Sequence, residues 1–193
     1  MLELEQKILN EGHILPGDVL QVGSFLNQQI DTCFLQKMGA EIARLYKCNN
    51  VTKVLTIESS GIAIAYAAAL ELGIPLVFAK KHISRNVTGN ILTSEVYSYT
   101  HQKSFDIAVS AEYIGADDTI LIVDDFLATG SALKGLIDIV EKSGAVLAGC
   151  AIAVEKGFQG GGDHLRAKGI RVESLAIIDK MTDDSLEFRA QNL

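Results

Sequence analysis

The stretch Thr119-Ile-Leu-Ile-Val-Asp-Asp-Phe-Leu-Ala-Thr-Gly-Ser-Ala132 joins a buried strand, two carboxylates, a turn of small residues and a helix start. Ile120 to Val123 is an unbroken apolar run of strand length. It stops at Asp124 and Asp125. The turn Ala128-Thr129-Gly130-Ser131 follows, and then Ala132, Leu133, Leu136, Ile137 and Val140 recur at helical spacing as far as Ser143-Gly144. Such a unit has two chemical ends. Its carboxylates suit hydroxyl groups or a metal ion, and the N–H groups of the turn and helix start suit an anion.

Working outward, the same grammar recurs. Val51 to Ile57 reads as a strand, Glu58-Ser59-Ser60-Gly61 as a small polar turn, and an Ala-rich helix runs to about Leu72. Taken alone, Ser59 is an ordinary helix N-cap. Ile74 to Ala79 is a further buried strand, and residues 80–85 hold the densest positive cluster, equally a solvated surface run or an anion site. Residues 82–94 lack periodicity and are expected to form a mobile loop. Glu95 to Thr100 and Phe105 to Ser110 alternate like an antiparallel pair. Val146 to Val154 is a buried strand ending at Glu155-Lys156. A flexible connector follows over Gly157 to Gly162, then a short helix, Asp163 to Lys168, a last strand, Ile170 to Ile178, and a polar, acidic tail.

Ahead of these, Leu2 to Leu9 reads as an amphipathic helix. His13 to Asp31 is less regular, with a break at Pro16-Gly17 and a short strand at Val19 to Val22. Asp31 N-caps a helix through Tyr46 whose apolar face holds Phe34, Leu35, Met38, Ile42 and Leu45. Asn27, by itself, is a loop amide bonding its own backbone. The strand–helix alternation predicts one α/β domain with a mostly parallel sheet covered on both faces. Ligands of such sheets bind beyond the carboxyl ends of the strands. Glu58, Lys80, Lys81, Asp124, Asp125 and Lys156 all fall at predicted strand ends, so one rim should collect them.

Composition narrows the choices. With 193 residues, 48% of them hydrophobic, the chain suits one domain with a large core. No apolar run reaches the ~18 residues of a membrane span. Met1-Leu-Glu-Leu-Glu-Gln-Lys7 lacks the layout of a signal peptide. The expectation is a cytoplasmic protein without a membrane partner. A formal net charge of −7 argues against nucleic-acid binding. Cys33, Cys48 and Cys150 form no CxxC and read as reduced, mostly buried residues, and His13, His82, His101 and His164 have no metal spacing. There is no GxGxxG. Gly130-Ser-Ala-Leu-Lys-Gly135 has Walker-like spacing, but Leu136 stands where the lysine belongs. A phosphoacceptor role for the paired aspartates would leave both small-residue turns unexplained.

The run Ile120 to Gly130 resembles the phosphoribosyl-diphosphate-binding motif of the type I phosphoribosyltransferases. The likeness extends over nearly the whole chain. Val19 to Asp31, Thr56 to Ile62, Val77 to His82, Asp124 to Gly130 and Val154 to Gln159 are similar to the bacterial xanthine-specific members. The resemblance implies the type I fold, with a small hood built from N-terminal and C-terminal segments. Residues 1–30 would contribute to the base-binding hood of a single domain spanning 1–193, and about 82–94 would form a lid. It implies an enzyme of purine salvage, a homodimer, joining xanthine to 5-phospho-α-D-ribose 1-diphosphate to give xanthosine 5′-monophosphate and diphosphate. Mg²⁺ would arrive with the substrate and meet Asp124 and Asp125, which also take the ribose hydroxyls as the catalytic pair.

On the matching positions, Ala128, Thr129, Gly130, Ser131 and Ala132 would wrap the 5′-phosphate. Glu58, Ser59, Ser60 and Lys81 would serve the diphosphate, and Leu20, Asn27 and Lys156 the base. Lys156 only donates hydrogen bonds, so it suits a carbonyl and opposes the exocyclic amine of adenine. Two positions depart from the family pattern: Gly23 stands where Asp is expected and Thr129 where some members have Asn. Two alternatives stay open. One is specificity for hypoxanthine, guanine or adenine. The other is a non-catalytic regulator that senses phosphoribosyl diphosphate and normally carries an added basic DNA-binding domain, for which the residues ahead of Asp31 leave no room.

Overall fold

The computed structural model describes residues 1–81, 90–98 and 103–191. In chain order its elements are α1 (Leu2–Glu11), β1 (His13–Leu15), β2 (Val19–Gln21), a wide helical turn (Gly23–Asn27), α2 (Thr32–Tyr46), β3 (Lys53–Ile57), α3 (Gly61–Leu72) and β4 (Leu76–Ala79). They continue with β5 (Ile91–Ser98), β6 (Lys103–Ser110), β7 (Thr119–Leu127), α4 (Ser131–Ser143), β8 (Val146–Lys156), a 3₁₀ turn (Gly157–Gln159), α5 (Gly161–Ala167), β9 (Val172–Met181) and β10 (Leu186–Phe188). A six-stranded sheet runs β10-β9-β8-β7-β3-β4, parallel throughout except for the antiparallel edge strand β10.

Alternation along the central strand explains the two cores. Leu121 and Val123 point to one face, among Phe34, Met38, Ile42, Ile64 and Ala68 of α2 and α3. Ile120 and Ile122 point to the other, among Leu133, Leu136 and Val140 of α4. Both faces are buried, which is why β7 reads as continuous apolar sequence rather than alternating. Gly39 allows α2 to touch α3, since a methyl group there would stand 2.6 Å from the Ala67 carbonyl carbon. Asp31 does cap α2, accepting from Phe34 N at 3.0 Å. Among the described residues no helix is long and apolar enough to cross a membrane.

Several local expectations are corrected. β7 does not stop at the aspartates but runs on to Leu127, because Asp124 through Leu127 keep pairing with Ile152 through Glu155 of β8. The "irregular" N-terminal stretch contains the β1–β2 hairpin, with Ile14 opposite Leu20. The acidic tail contributes β10, whose Leu186 lies opposite Met181. The glycine-rich connector is ordered as a 3₁₀ turn and the first residues of α5. The antiparallel pair begins at Ile91, so residues 91–94 of the expected loop belong to β5, while residues 82–89 lie outside the described residues. Cys33 and Cys48 are exposed, and Cys150 alone of the three is buried.

Candidate active site

The carboxyl ends of β3, β4, β7 and β8 share one rim, and the turns beyond them build the site. After β7, Gly130 adopts φ +84°, a left-handed conformation that suits glycine, and α4 starts there. Lys134 N donates to Gly130 O at 3.0 Å, the first helical bond of α4. The N–H groups just ahead of Lys134 therefore have no partner within the helix, and they face the turn with the positive end of the helix dipole. The Thr129 and Ser131 hydroxyls lie 3.3 Å apart beside them. Nothing in this arrangement needs a lysine, which matters in a chain of net charge −7.

Asp124 and Asp125 sit inside the strand and are buried. Asp125 Oδ1 accepts from Ser60 Oγ at 3.0 Å, and Asp125 Oδ2 accepts from Asn27 Nδ2 at 3.4 Å. Asp124 Oδ1 accepts the backbone N–H of Asp125 at 3.1 Å. Burial, followed by the neighbouring Asp125 charge, pushes the Asp124 carboxyl well above the usual carboxylate range. A methyl group on Gly61 would stand 2.5 Å from Asp124 Oδ1 and 2.4 Å from Thr56 Oγ1, so the start of α3 approaches the acidic pair only because it is glycine. Among the described residues the buried Thr56 hydroxyl has no hydrogen-bond partner.

The turn after β3 departs from expectation. Ser60, not Ser59, occupies the N-cap position of α3, and its hydroxyl serves Asp125 instead of capping the helix. The Glu58–Ser59 peptide bond is cis. Glu58 Oε1 accepts from Lys81 N at 2.7 Å, tying the ends of β3 and β4 together. The Lys81 ammonium lies 5.8 Å from the Phe105 ring centroid.

A cleft over the site has a volume of about 800 Å³. It joins the whole Ala128-Thr129-Gly130-Ser131-Ala132 turn to Lys81, Phe126 and Lys156. Lys156 donates to Asp18 O at 2.6 Å, and its ammonium lies 5.7 Å from the Phe126 ring centroid. Burial lowers its pKa from the ordinary lysine value. One of its three protons is engaged by the hairpin turn, which leaves two for a ligand.

The other two residues expected on the base side lie elsewhere. Leu20 and Asn27 line a neighbouring cavity of about 340 Å³ with Glu11, His13 and Gly23. Leu20 is buried in the core, so its side chain packs and only its backbone is left for a ligand. Asn27 reaches the acidic pair because the wide turn that carries it is pinned by buried Phe25 and Leu26. Beneath that turn Lys7 lies 5.4 and 5.2 Å from the Phe25 and Phe34 ring centroids and 2.9 Å from both Glu11 and Asp31.

Sequence reasoning missed Asp18, whose contribution is a backbone carbonyl, and Phe126. Strand alternation was the available signal for Phe126, which stands beside the aspartates on a strand that had been ended too early. It also missed Glu155 and Arg166, which pair beside Lys156. Among the described residues no group of three or more His, Cys, Asp or Glu side chains could hold a metal ion. Two adjacent carboxylates without further ligands fit a Mg²⁺ ion held mainly by substrate oxygens.

Comparison with known proteins follows the same lines. The phosphoribosyl transferase domain family matches residues 29–183. The xanthine phosphoribosyltransferase of Bacillus mycoides is 49% identical over 191 residues, covering 99% of this chain and 97% of that protein. That of Heliobacterium modesticaldum is 50% identical over 188 residues, covering 97% of this chain and 100% of that protein. Among solved structures, the adenine phosphoribosyltransferase of Leishmania tarentolae superposes with a TM-score of 0.75 at 22% identity, over 94% of this chain and 90% of that one. The adenine enzyme of Rhodothermus marinus gives 0.74 at 20% identity, over 92% of this chain and all of that one, 100%. At those identities the structural likeness speaks for the fold alone.

Proposed function

The chain belongs to the phosphoribosyl transferase family, with the type I fold, and from that premise we propose that it is a xanthine phosphoribosyltransferase of purine salvage. It joins xanthine to 5-phospho-α-D-ribose 1-diphosphate and releases xanthosine 5′-monophosphate and diphosphate. The observation that carries this reading is the single cleft that holds both the Gly130 turn and the Lys156 ammonium. Its close relatives carry the same activity in their names.

The 5′-phosphate takes the free N–H groups of the Ala128 to Ala132 turn and the hydroxyls of Thr129 and Ser131. Asp124 and Asp125 accept hydrogen bonds from the ribose hydroxyls, with Ser60 and Asn27 holding Asp125 in place. The diphosphate lies along Ser59 and Ser60, with Lys81 drawing on its charge and Glu58 fixing the Lys81 backbone. Mg²⁺, bound through substrate oxygens near Asp124 and Asp125, would supply charge neutralisation for the departing diphosphate. As the bond from the anomeric carbon to diphosphate lengthens, positive charge builds on the sugar, in analogy with glycoside chemistry. A ring nitrogen of xanthine then forms the new bond to that carbon and gives up its proton to the departing diphosphate or to solvent. No covalent nucleophile is required; catalysis rests on positioning and electrostatics.

Lys156 donates its two remaining protons to xanthine carbonyls, and Asn27 and the Leu20 backbone complete the base side. A donor-only lysine discriminates against adenine. The segment of about 82–94 acts as the lid that excludes water, with its last residues anchored in β5. The whole chain works as one domain whose residues 1–30 supply the hood. It acts in the cytoplasm as a homodimer, and Tyr66, Leu70 and Phe78, all exposed, give the protomer apolar surface for a second copy.

Incubating the protein with phosphoribosyl diphosphate, Mg²⁺ and each of xanthine, guanine, hypoxanthine and adenine in turn tests the proposal by chromatography. Xanthosine 5′-monophosphate with equimolar diphosphate is the expected product. Absence of a nucleotide from every base would leave a regulatory phosphoribosyl-diphosphate sensor as the better reading.

A further inference from the structure

Next to the base lysine the chain buries the acid of an ion pair whose arginine is partly exposed. Glu155 is fully buried. Arg166 grips it with both terminal nitrogens, Nη1 to Oε1 at 2.9 Å and Nη2 to Oε2 at 2.6 Å. Ser174 Oγ donates to the same Oε2. Arg166 Nε donates to Val172 O at 3.0 Å, and Nη1 also reaches Asp163 Oδ1 at 3.0 Å. Arg189 extends the ladder, donating to Asp163 Oδ1 at 2.8 Å and to Asp179 Oδ1 at 2.9 Å. An ion pair with its acid buried is poor evidence for stability, because desolvation offsets much of the attraction. Its geometry points to another use.

Two glycines at the start of α5 show what the pair holds. A methyl group on Gly162 would stand 2.1 Å from Glu155 Oε1. One on Gly161 would stand 2.2 Å from Ala128 O and 2.7 Å from Gly130 N, and Gly161 N donates to Ala128 O at 3.2 Å. The first turn of α5 is therefore pressed between Glu155 and the phosphate turn, and Arg166 clamps the far end of the same short helix back onto Glu155. The residue after Glu155 is Lys156. Fixing the Glu155 side chain fixes the strand end from which Lys156 projects.

We propose that the Glu155–Arg166 pair is a positioning device that couples the two halves of the active site. It aims Lys156 at the base and, through Gly161, sets the Ala128–Gly130 turn for the 5′-phosphate. This deepens the reading of Lys156 as the base lysine and rests on it.

The test is steady-state kinetics on Arg166→Lys, Lys156→Ala, their double variant and Gly161→Ala. Arg166→Lys keeps the charge but loses the two-pronged grip. It should raise the KM of both xanthine and phosphoribosyl diphosphate by about three- to tenfold, the scale of one or two hydrogen bonds, with kcat within about twofold. In the Lys156→Ala background it should no longer raise the xanthine KM, yet still raise that of phosphoribosyl diphosphate. Gly161→Ala wedges the first turn of α5 off the phosphate turn and against Glu155, so under coupling it should raise the KM of both substrates; a rise confined to phosphoribosyl diphosphate would overturn the coupling, and a poorly folding Arg166→Lys therefore does not decide the matter. Additive effects of Arg166→Lys and Lys156→Ala on xanthine, or a lower Tm with both KM values unchanged, would overturn the coupling alone. An unchanged xanthine KM in Lys156→Ala by itself would overturn the base assignment, and the coupling with it.

Discussion

Asn27 Nδ2 lies 3.4 Å from Asp125 Oδ2, so the wide turn ahead of α2 touches the acidic pair directly. The contact joins residues 98 positions apart in sequence and puts a side chain read as base-binding within reach of the sugar end. Asn27→Ala is expected to raise the xanthine KM by about tenfold, the cost of roughly one hydrogen bond. Asn27→Asp adds a second carboxylate beside Asp125, and like charges at that range disfavour joint ionisation. Its turnover should fall further than that of Asn27→Ala near pH 8 and recover as pH is lowered toward 6. A pH–rate profile for the two variants would show this, and parallel profiles would count against it.

Gly61→Ala places a methyl group against Asp124 and Thr56 at 2.5 and 2.4 Å. Overpacking of this kind costs about 1–3 kcal/mol. The variant should show a lower Tm and a phosphoribosyl diphosphate KM raised by about tenfold or more for displacement of the acidic pair. Wild-type kinetics in this variant would mean that the start of α3 does not bear on Asp124.

Burial raises the Asp124 pKa above its ordinary 3.8. Between the two values the folded state binds the proton that the unfolded state has lost, so stability falls as pH rises through that interval. Asp124→Asn removes the cost. It should raise Tm by a few degrees at neutral pH, with the gain vanishing in acid, while lowering turnover by about 100-fold or more. Thermal unfolding across pH together with single-turnover assays would separate the two effects.

Lys156 moves the other way, because burial disfavours its charged form. With the folded pKa below the unfolded value, stability rises with pH through that window, while the donor proposed for xanthine is lost there. The xanthine KM should therefore climb at alkaline pH sooner than for an ordinary lysine at 10.5. Lys156→Arg keeps its charge and should flatten that limb. Superimposable alkaline limbs in the two proteins would exclude Lys156 as the titrating donor.

The half of the site proposed for phosphate was legible because it is local: strand, aspartates, small turn and helix start lie within residues 119–132. The base half was not, since it is assembled across the chain. β1 is three residues long and β10 three more, too short for any periodicity, and each exists only through its pairing partner. In sequence Glu155 is only a strand-end residue beside Lys156, and only the fold reveals Arg166, 11 positions on, as its partner. Ser59 reads as the helix cap in sequence, but Ser60 takes that position and gives its hydroxyl to Asp125, 65 positions away, which no local pattern reports. Lys156 was found by likeness to a family, whereas its bond to the Asp18 carbonyl involves a backbone atom that no side-chain pattern reports.

Base choice at Lys156 is the central claim, and a competition assay reaches it most directly. Wild-type protein and Lys156→Ala are supplied with phosphoribosyl diphosphate, Mg²⁺ and an equimolar mixture of xanthine, guanine, hypoxanthine and adenine, and the nucleotides formed are quantified over time. Xanthosine 5′-monophosphate should dominate with the wild type, and its lead should shrink by about tenfold or more in Lys156→Ala. Adenosine 5′-monophosphate as the main wild-type product, or an unchanged product ratio in the variant, would contradict it.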